Sequence, residues 1–211
     1  MKTTAKDPLA GVRLRVGTVM VSTDVNGPGR RLVIWLQGCE FHCEGCFNPE
    51  FHDPAGGRTM NGREILAMAD DDARIEGLTF SGGEPFLQAG ALARLATAAR
   101  RQGYSIVCYT GYTLAEIRSG KPEKGRRLLN QVDLLIDGLF DRKQQAPLAW
   151  RGSANHRLHF LTSRYQALRE QADGDRQRRV EVVMGDGSLA MTGIFPKEFW
   201  QRLQRKLESR V

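Results

Sequence analysis

Four short apolar runs punctuate the chain: RLVIWLQG at 31–38, EGLTFSGG at 76–83, YSIVCYTG at 104–111 and VDLLIDG at 132–138. Each has the length of a single strand, is rich in β-branched, aromatic or other apolar residues, and closes on glycine, the pattern of strands buried on both faces. Between them, NGREILAMADDD, EPFLQAGALARLATAARRQG and TLAEIRSGKPEKGRRLLNQ carry apolar residues at helical spacing or strong helix formers. Strands alternating with helices predict βαβ units and a mainly parallel sheet, an α/β fold whose ligands gather at the carboxyl ends of its strands. Ahead of the first run, VRLRVGTVMVS predicts a further strand or hairpin and NGPGRR a turn.

The pattern changes beyond residue 150. RGSANHRLHFL predicts another strand, TSRYQALREQADGDRQRRV is polar with a turn at Asp173-Gly174-Asp175, and VEVVMGDGSLAMTGIF predicts a hairpin around Gly185-Asp186-Gly187. The last segment, PKEFWQRLQRKLESR, predicts a helix with Pro196 in its first turn. Phe199, Leu203 and Leu207 recur every four residues there, a stripe suited to packing on the helix's own domain.

No internal repeat interrupts this order, and 211 residues suffice for one sizeable core. Composition is that of a soluble globular protein; no stretch approaches the roughly 20 apolar residues of a membrane span, and MKTTAKDPLAG lacks a signal-peptide core. The expected location is the cytoplasm. A net charge of +7 raises the question of nucleic acid, but much of the excess sits in Arg176, Arg178, Arg179 and the terminal QRLQRKLESR, with no RNP run, zinc finger or helix-turn-helix beside it. That distribution argues against a nucleic-acid partner, while the same field suits an acidic protein or nucleotide.

Candidate chemistry sits at the predicted strand ends. After the first strand, GCEFHCEGCFNPE places Cys39, Cys43 and Cys46 in a C-x3-C-x2-C loop. Three thiolates can ligate three irons of a [4Fe-4S] cubane and leave the fourth open. A closed zinc site needs a fourth ligand, which His42 or His52 would have to supply away from zinc-finger spacing. Cys108 could be another ligand, but its apolar run reads as a buried strand. An open iron can take the methionine end of S-adenosylmethionine (SAM), and clusters and SAM are both cofactors of radical chemistry.

After the second strand comes Ser81-Gly82-Gly83-Glu84-Pro85, whose glycines admit close backbone approach and whose Glu84 can accept from an ammonium group. Asp137 can bond a ribose hydroxyl at the fourth strand end, or simply form the Asp-Gly turn. Tyr109, Thr110 and Tyr112 can line the same rim, Tyr109 equally being core. Arg151 can meet a carboxylate or phosphate, or remain solvated.

The stretch VSTDVNGPGRRLVIWLQGCEFHCEGCFNPEFHD, followed by SGGEP, YTGYT, DLLIDGLFD and RGSANHR, resembles the radical SAM activating enzymes of glycyl-radical proteins, most of all those of anaerobic ribonucleotide reductase. The resemblance covers roughly residues 16–158. It implies a partial (β/α) barrel of the radical SAM type, a [4Fe-4S] cluster on Cys39, Cys43 and Cys46, and SAM held by Gly45, Phe47, Ser81, Gly82, Gly83 and Glu84. It also implies a 5′-deoxyadenosyl radical, a glycyl-radical protein as partner and an electron donor such as flavodoxin or ferredoxin.

The chain departs from this pattern in carrying Gly45 where many radical SAM enzymes place an aromatic, and Asn26 where the Gly-Pro-Gly turn is usually preceded by Asp. It also continues for some fifty residues past RGSANHR. The expected organisation is therefore a core at 1–158 and, packed on the same domain, a hairpin-plus-helix extension at 159–211. Two rival readings stay open at this point: direct radical modification of a small molecule, nucleotide or peptide, and a non-catalytic metal-binding interaction module.

Overall fold

The continuous apolar runs become the inner strands of one mixed sheet. A computed structural model of the chain describes residues 7–177, 179–185 and 188–194 together with Phe199, Arg202, Leu203, Arg205 and Lys206. In chain order the elements are β1 (Arg13–Thr23), β2 (Arg30–Leu36), β3 (Arg58–Asn61), α1 (Gly62–Asp70), β4 (Gly77–Gly82), α2 (Ala89–Arg101), β5 (Ser105–Thr110), α3 (Leu114–Ser119), α4 (Gly125–Leu129) and β6 (Leu134–Asp137). There follow β7 (Gln145–Leu148), β8 (Arg151–Ser153), β9 (Arg157–Phe160), α5 (Arg169–Gly174), β10 (Val180–Gly185) and β11 (Ser188–Gly193).

The main sheet has the order β3-β1-β2-β4-β5-β6-β9. Its four inner strands β2, β4, β5 and β6 run parallel, while β1, β3 and β9 pair antiparallel with their neighbours. One face, with Leu32, Ile34, Leu78, Phe80, Ile106, Cys108 and Leu135, packs under α1 and α2. From α2 the contact is made by Leu92, Leu95, Ala96 and Ala99, three or four residues apart and all buried. Cys108 belongs to this face as a small core residue, its thiol pushed up by burial.

The opposite face, with Val107, Leu134 and Ile136, is covered by Phe160, Tyr165 and Ala172 from beyond the predicted core boundary. β9 itself lies across that boundary. The stretch read as polar with an Asp-Gly-Asp turn instead forms a 3-10 turn at Ser163–Leu168 and then α5, which contains Asp173 and Gly174. Tyr165, Leu168 and Ala172 pack this segment against the sheet.

The segment TLAEIRSGKPEKGRRLLNQ divides into α3 and α4. Thr113 and Glu116 form a capping box at the start of α3, and Gly120 ends it in the left-handed region, φ +106°. The predicted hairpin is β10 paired with β11 in register Val182↔Met191, with Asp186 and Gly187 outside the described residues. Thr23 N donates to Glu181, and Asn26 Nδ2 to Thr192, so this hairpin is anchored at the β1–β2 turn. Of the terminal segment, Phe199 and Leu203 are helical; Pro196 and Leu207 lie outside the described residues.

Arg31, at the first turn of β2, is fully buried without a carboxylate against it. The five N–H groups of its guanidinium instead reach six acceptors, Thr79 Oγ1, Pro28 O, Leu78 O, Tyr165 Oη and both oxygens of Ser105, with Nη1 shared among three of them. Burial lowers its pKa, and this complete set of acceptors is what makes a buried cation tolerable. β2, β4, β5, the β1–β2 turn and the segment after β9 meet at that one side chain.

Arg31→Ala should lower the urea unfolding free energy by roughly 3 to 5 kcal/mol, because it strands this set of buried acceptors. Tyr165→Phe should cost only about 1 kcal/mol, the value of one hydrogen bond. Equal losses from the two variants would contradict the hub role of the guanidinium.

Candidate functional site

Parallel strands bring their carboxyl ends to one rim, and the residues singled out in sequence lie along it. The cysteine loop leaves β2, Ser81 to Glu84 close β4, Thr110 to Tyr112 follow β5, and Asp137-Gly138 end β6. Register places Trp35 beside Ser81, Leu36 beside Gly82 and Thr110 beside Asp137.

The cysteine loop is stitched to the end of β4 through its backbone. Gly83 N donates to Leu36 O and Glu84 N to Gly38 O, each at 2.8 Å, while Gly38 N and Cys39 N reach Phe51 O and His52 O. This approach requires glycine: a Cβ at Gly83 would lie 2.2 Å from Gly38 O, and one at Gly82, whose φ is +100°, 2.4 Å from Leu36 N. The two glycines thus give room to the cysteine strand as well as to any ligand. Sequence reasoning passed over Gln37, which is buried and donates through Nε2 to Glu50 O and Asp53 O, holding the returning limb of the loop. An amide closing an apolar strand just before the first cysteine was the signal available.

Cys39, Cys43 and Cys46 are half-buried on this loop, with Cys46 N donating to Cys43 O in a tight turn. Burial raises the thiols of Cys39 and Cys46, so binding a metal here would release protons. Among the described residues, no three His, Cys, Asp or Glu side chains converge where they could hold one metal ion. His42 and His52 face each other, Nδ1 to Nδ1 at 3.3 Å. A cubane takes one thiolate at each of three separate corners, so its ligands surround a volume and need not meet at a point. The donor set therefore fits an iron–sulfur cluster better than a single zinc ion.

Glu84 is buried, and its carboxylate accepts from Phe86 N, Thr110 Oγ1 and Gly111 N at 2.8 to 2.9 Å. These contacts tie β4 to β5. Asp137 is likewise buried: its Oδ2 accepts from Leu114 N at 2.6 Å and lies 3.0 Å from His159 Nε2, within ion-pair distance but outside hydrogen-bond alignment. Both acids thus fasten the rim, and Oδ1 of Asp137 takes neither of these contacts. Gly45 is exposed with φ +75° and sits against Arg142, and Phe47 packs edge-on to Phe140 with ring centroids 5.0 Å apart. Tyr112 packs edge-on to Phe41 and donates to Glu40 at the mouth of the loop, whereas Tyr109 is partly buried against the cluster of Val107 and Ile136. Arg151 donates to Ala172 O and pairs with Asp173, and so is not solvated.

Comparison with known proteins places this rim in context. Residues 25–159 match the family model described as "4Fe-4S single cluster domain". The anaerobic ribonucleoside-triphosphate reductase-activating protein of Vibrio cholerae is 35% identical over 147 residues, 65% of this chain and 92% of that protein. The protein of the same description from Enterobacteria phage T4 is 35% identical over 140 residues, 64% of this chain and 86% of that protein. That of Escherichia coli K12 is 30% identical over 146 residues, with coverages of 65% and 92%.

Burial pushes the Glu84 carboxyl up to about 7, against the pull of hydrogen bonds from Gly111, Phe86 and Thr110. The folded pKa exceeds the unfolded one, so the folded chain holds the proton more tightly, and stability falls as pH rises from about 4.5 to 7. Urea unfolding across that window should show up to about 3 kcal/mol of loss from this group, absent from the pH profile of Glu84→Gln. A variant whose pH profile parallels the wild type would refute the assignment.

Proposed function

The chain belongs to the 4Fe-4S single cluster domain family, among the radical SAM activating proteins of the anaerobic ribonucleotide reductase type, and from this we propose that it forms a glycyl radical on a partner protein. Its cofactors are a [4Fe-4S] cluster and SAM, which when bound supply the 5′-deoxyadenosyl radical by reductive cleavage. Cys39, Cys43 and Cys46 hold the cluster. Ser81, Gly82, Gly83 and Glu84, with Gly45 and Phe47 across the loop, seat SAM, and Asp137 faces its ribose. The partner is a glycyl-radical reductase, and a flavodoxin or ferredoxin delivers the electron. The observation that carries this reading is the stitch from Leu36 and Gly38 to Gly83 and Glu84, which fixes the thiol loop beside the SGGE turn.

The seven-strand order ends in the unpaired edges β3 and β9, consistent with a partial (β/α) barrel whose open mouth leaves the partner to cover the site. The core spans residues 1–158, and the extension at 159–211 belongs to the same domain, a reading supported by Tyr165 beneath the sheet and Thr192 against Asn26. Primary-radical chemistry needs water excluded. Tyr112, Phe41 and the half-exposed Leu139 form an apolar lip around Gly111 suited to that task.

Anaerobic reconstitution should load about four irons per chain, and reduction in the presence of SAM should release 5′-deoxyadenosine. Deuterium from a labelled glycine of the partner should appear in that nucleoside. Cys43→Ala should abolish both cluster and cleavage. One zinc per chain with no nucleoside product would overturn the reading.

A further inference from the structure

A cavity of about 460 Å³ lies at the amino end of β6, the far end of the sheet from the cysteine loop. The antiparallel pairing of Leu134 with Phe160 brings Val132, just before β6, beside Leu161 and Thr162, just after β9. Leu161 N donates to Asp133 O at 2.8 Å and Thr162 Oγ1 to Asp133 Oδ1 at 2.7 Å, which fixes this floor. Arg118 in the last turn of α3, Arg126 and Leu129 in α4, and Asn130 just after it make the walls. Small-molecule sites commonly enclose roughly 300 to 1,000 Å³, so the space suits a ligand of some size.

The walls are cationic and unanswered. Arg118 and Arg126 are exposed, and among the described residues neither guanidinium has a hydrogen bond or an ion pair. Nearby arginines are engaged elsewhere, Arg100 with Asp133 and Arg164 with Gly103 O. The acids of this corner are engaged too. Asp133 accepts from Arg100, Ile106 N and Thr162, and Glu116 closes the capping box of α3 on Thr113. Guanidinium groups match phosphate oxygens with paired donors, and two of them on separate helices suit a chain of phosphates better than a single carboxylate.

Solvated arginines alone would make no site, and the floor supplies a second requirement. Val132 is buried and Leu129 and Leu161 are half-buried, an apolar surface that phosphate would leave bare and a nucleobase would cover. The Asn130 side-chain amide has no partner among the described residues, so it offers both a donor and an acceptor to a base edge. No acid, thiol or imidazole lines the cavity, so what enters is bound there rather than converted.

We propose that this cavity binds a nucleoside triphosphate, with its phosphates on Arg118 and Arg126, its base over Leu129, Val132 and Leu161, and Asn130 at the base edge. The site is distinct from the proposed SAM seat, which lies at the opposite ends of the strands and takes a ligand without phosphate. α3 joins the two places: Leu114 N, at its start, donates to Asp137 on the rim, and Arg118 stands about one turn further along.

The test is calorimetric titration of the full-length chain, without magnesium, with ATP, GTP, CTP and UTP in turn and with inorganic triphosphate. At least one nucleotide should bind about 10-fold more tightly than triphosphate, the margin of a covered base. Arg118→Gln and Arg126→Gln should each weaken that nucleotide about 10-fold, whereas Arg127→Gln, on α4 but outside the cavity, should change it less than about 2-fold. Circular dichroism should show all three variants folded as wild type, and their release of 5′-deoxyadenosine should be unchanged. Equal affinity for nucleotide and triphosphate would reduce the site to charge alone and overturn the proposal. Equal losses from Arg118→Gln and Arg127→Gln would overturn it by making the attraction a diffuse property of the basic surface, as would failure of all four nucleotides to bind at millimolar concentration. Displacement of the nucleotide by S-adenosylhomocysteine would put it in the SAM seat, overturning the separate site while leaving the SAM reading standing.

Discussion

The carboxyl ends of β2 and β4 approach more closely than any side chain permits, and the site is organised around that contact. With Gly82 and Gly83 reduced to backbone, Leu36 and Gly38 accept directly from Gly83 and Glu84, so the cysteine loop cannot move independently of the SGGE turn. The constraint continues along the rim by other means. Glu84 reaches the backbone of Gly111 on the next strand, and Asp137 reaches that of Leu114 at the start of α3. Buried carboxylates meeting N–H groups are strong, directional ties. Rigid placement of this kind is what a reactive intermediate demands, since small errors of position are costly in rate.

A second anchor lies at the opposite end of the same strands. Arg31 draws β2, β4 and β5 together and reaches across to Tyr165, whose hydroxyl also donates to Ser105 at 2.6 Å. The residues after β9 are thereby part of the sheet's own packing, where Phe160, Tyr165 and Ala172 join Ala149 and Trp150 in covering the face bearing Val107, Leu134 and Ile136. One arginine fixes the base of the sheet while two glycines fix its rim. The loop geometry at the site inherits its precision from both.

Much of this was legible in sequence, for physical reasons that also mark where legibility stopped. The inner strands announce themselves because a parallel strand buried on both faces must be apolar throughout, as LVIWL is. β3 carries no such signal: Met60 alone of its four residues is buried, and its pairing with β1 makes it a strand. The α3–α4 break needed the left-handed Gly120, which a periodicity count treats as one more helical position. Glu84 and Asp137 were recognised as important from their places at strand ends, but their cross-strand duties depend on register, which sequence does not fix. The segment after β9 was read as polar because few of its side chains, chiefly Tyr165 and Ala172 with the partly buried Leu168, do the burying.

The contrast between Arg31 and His156 gives the RGSANHR turn its meaning. The chain can place a full charge in its interior and supply every hydrogen bond it requires, so it is not poor in acceptors or donors where stability asks for them. Yet on the turn between β8 and β9, held by the Leu139 and Gly152 backbones, side-chain atoms of His156 and Asn155 are left without a hydrogen bond. Leaving such groups unmet costs on the order of 1 to 3 kcal/mol each. A fold that satisfies the harder case and not the easier one carries that cost on the turn between β8 and β9.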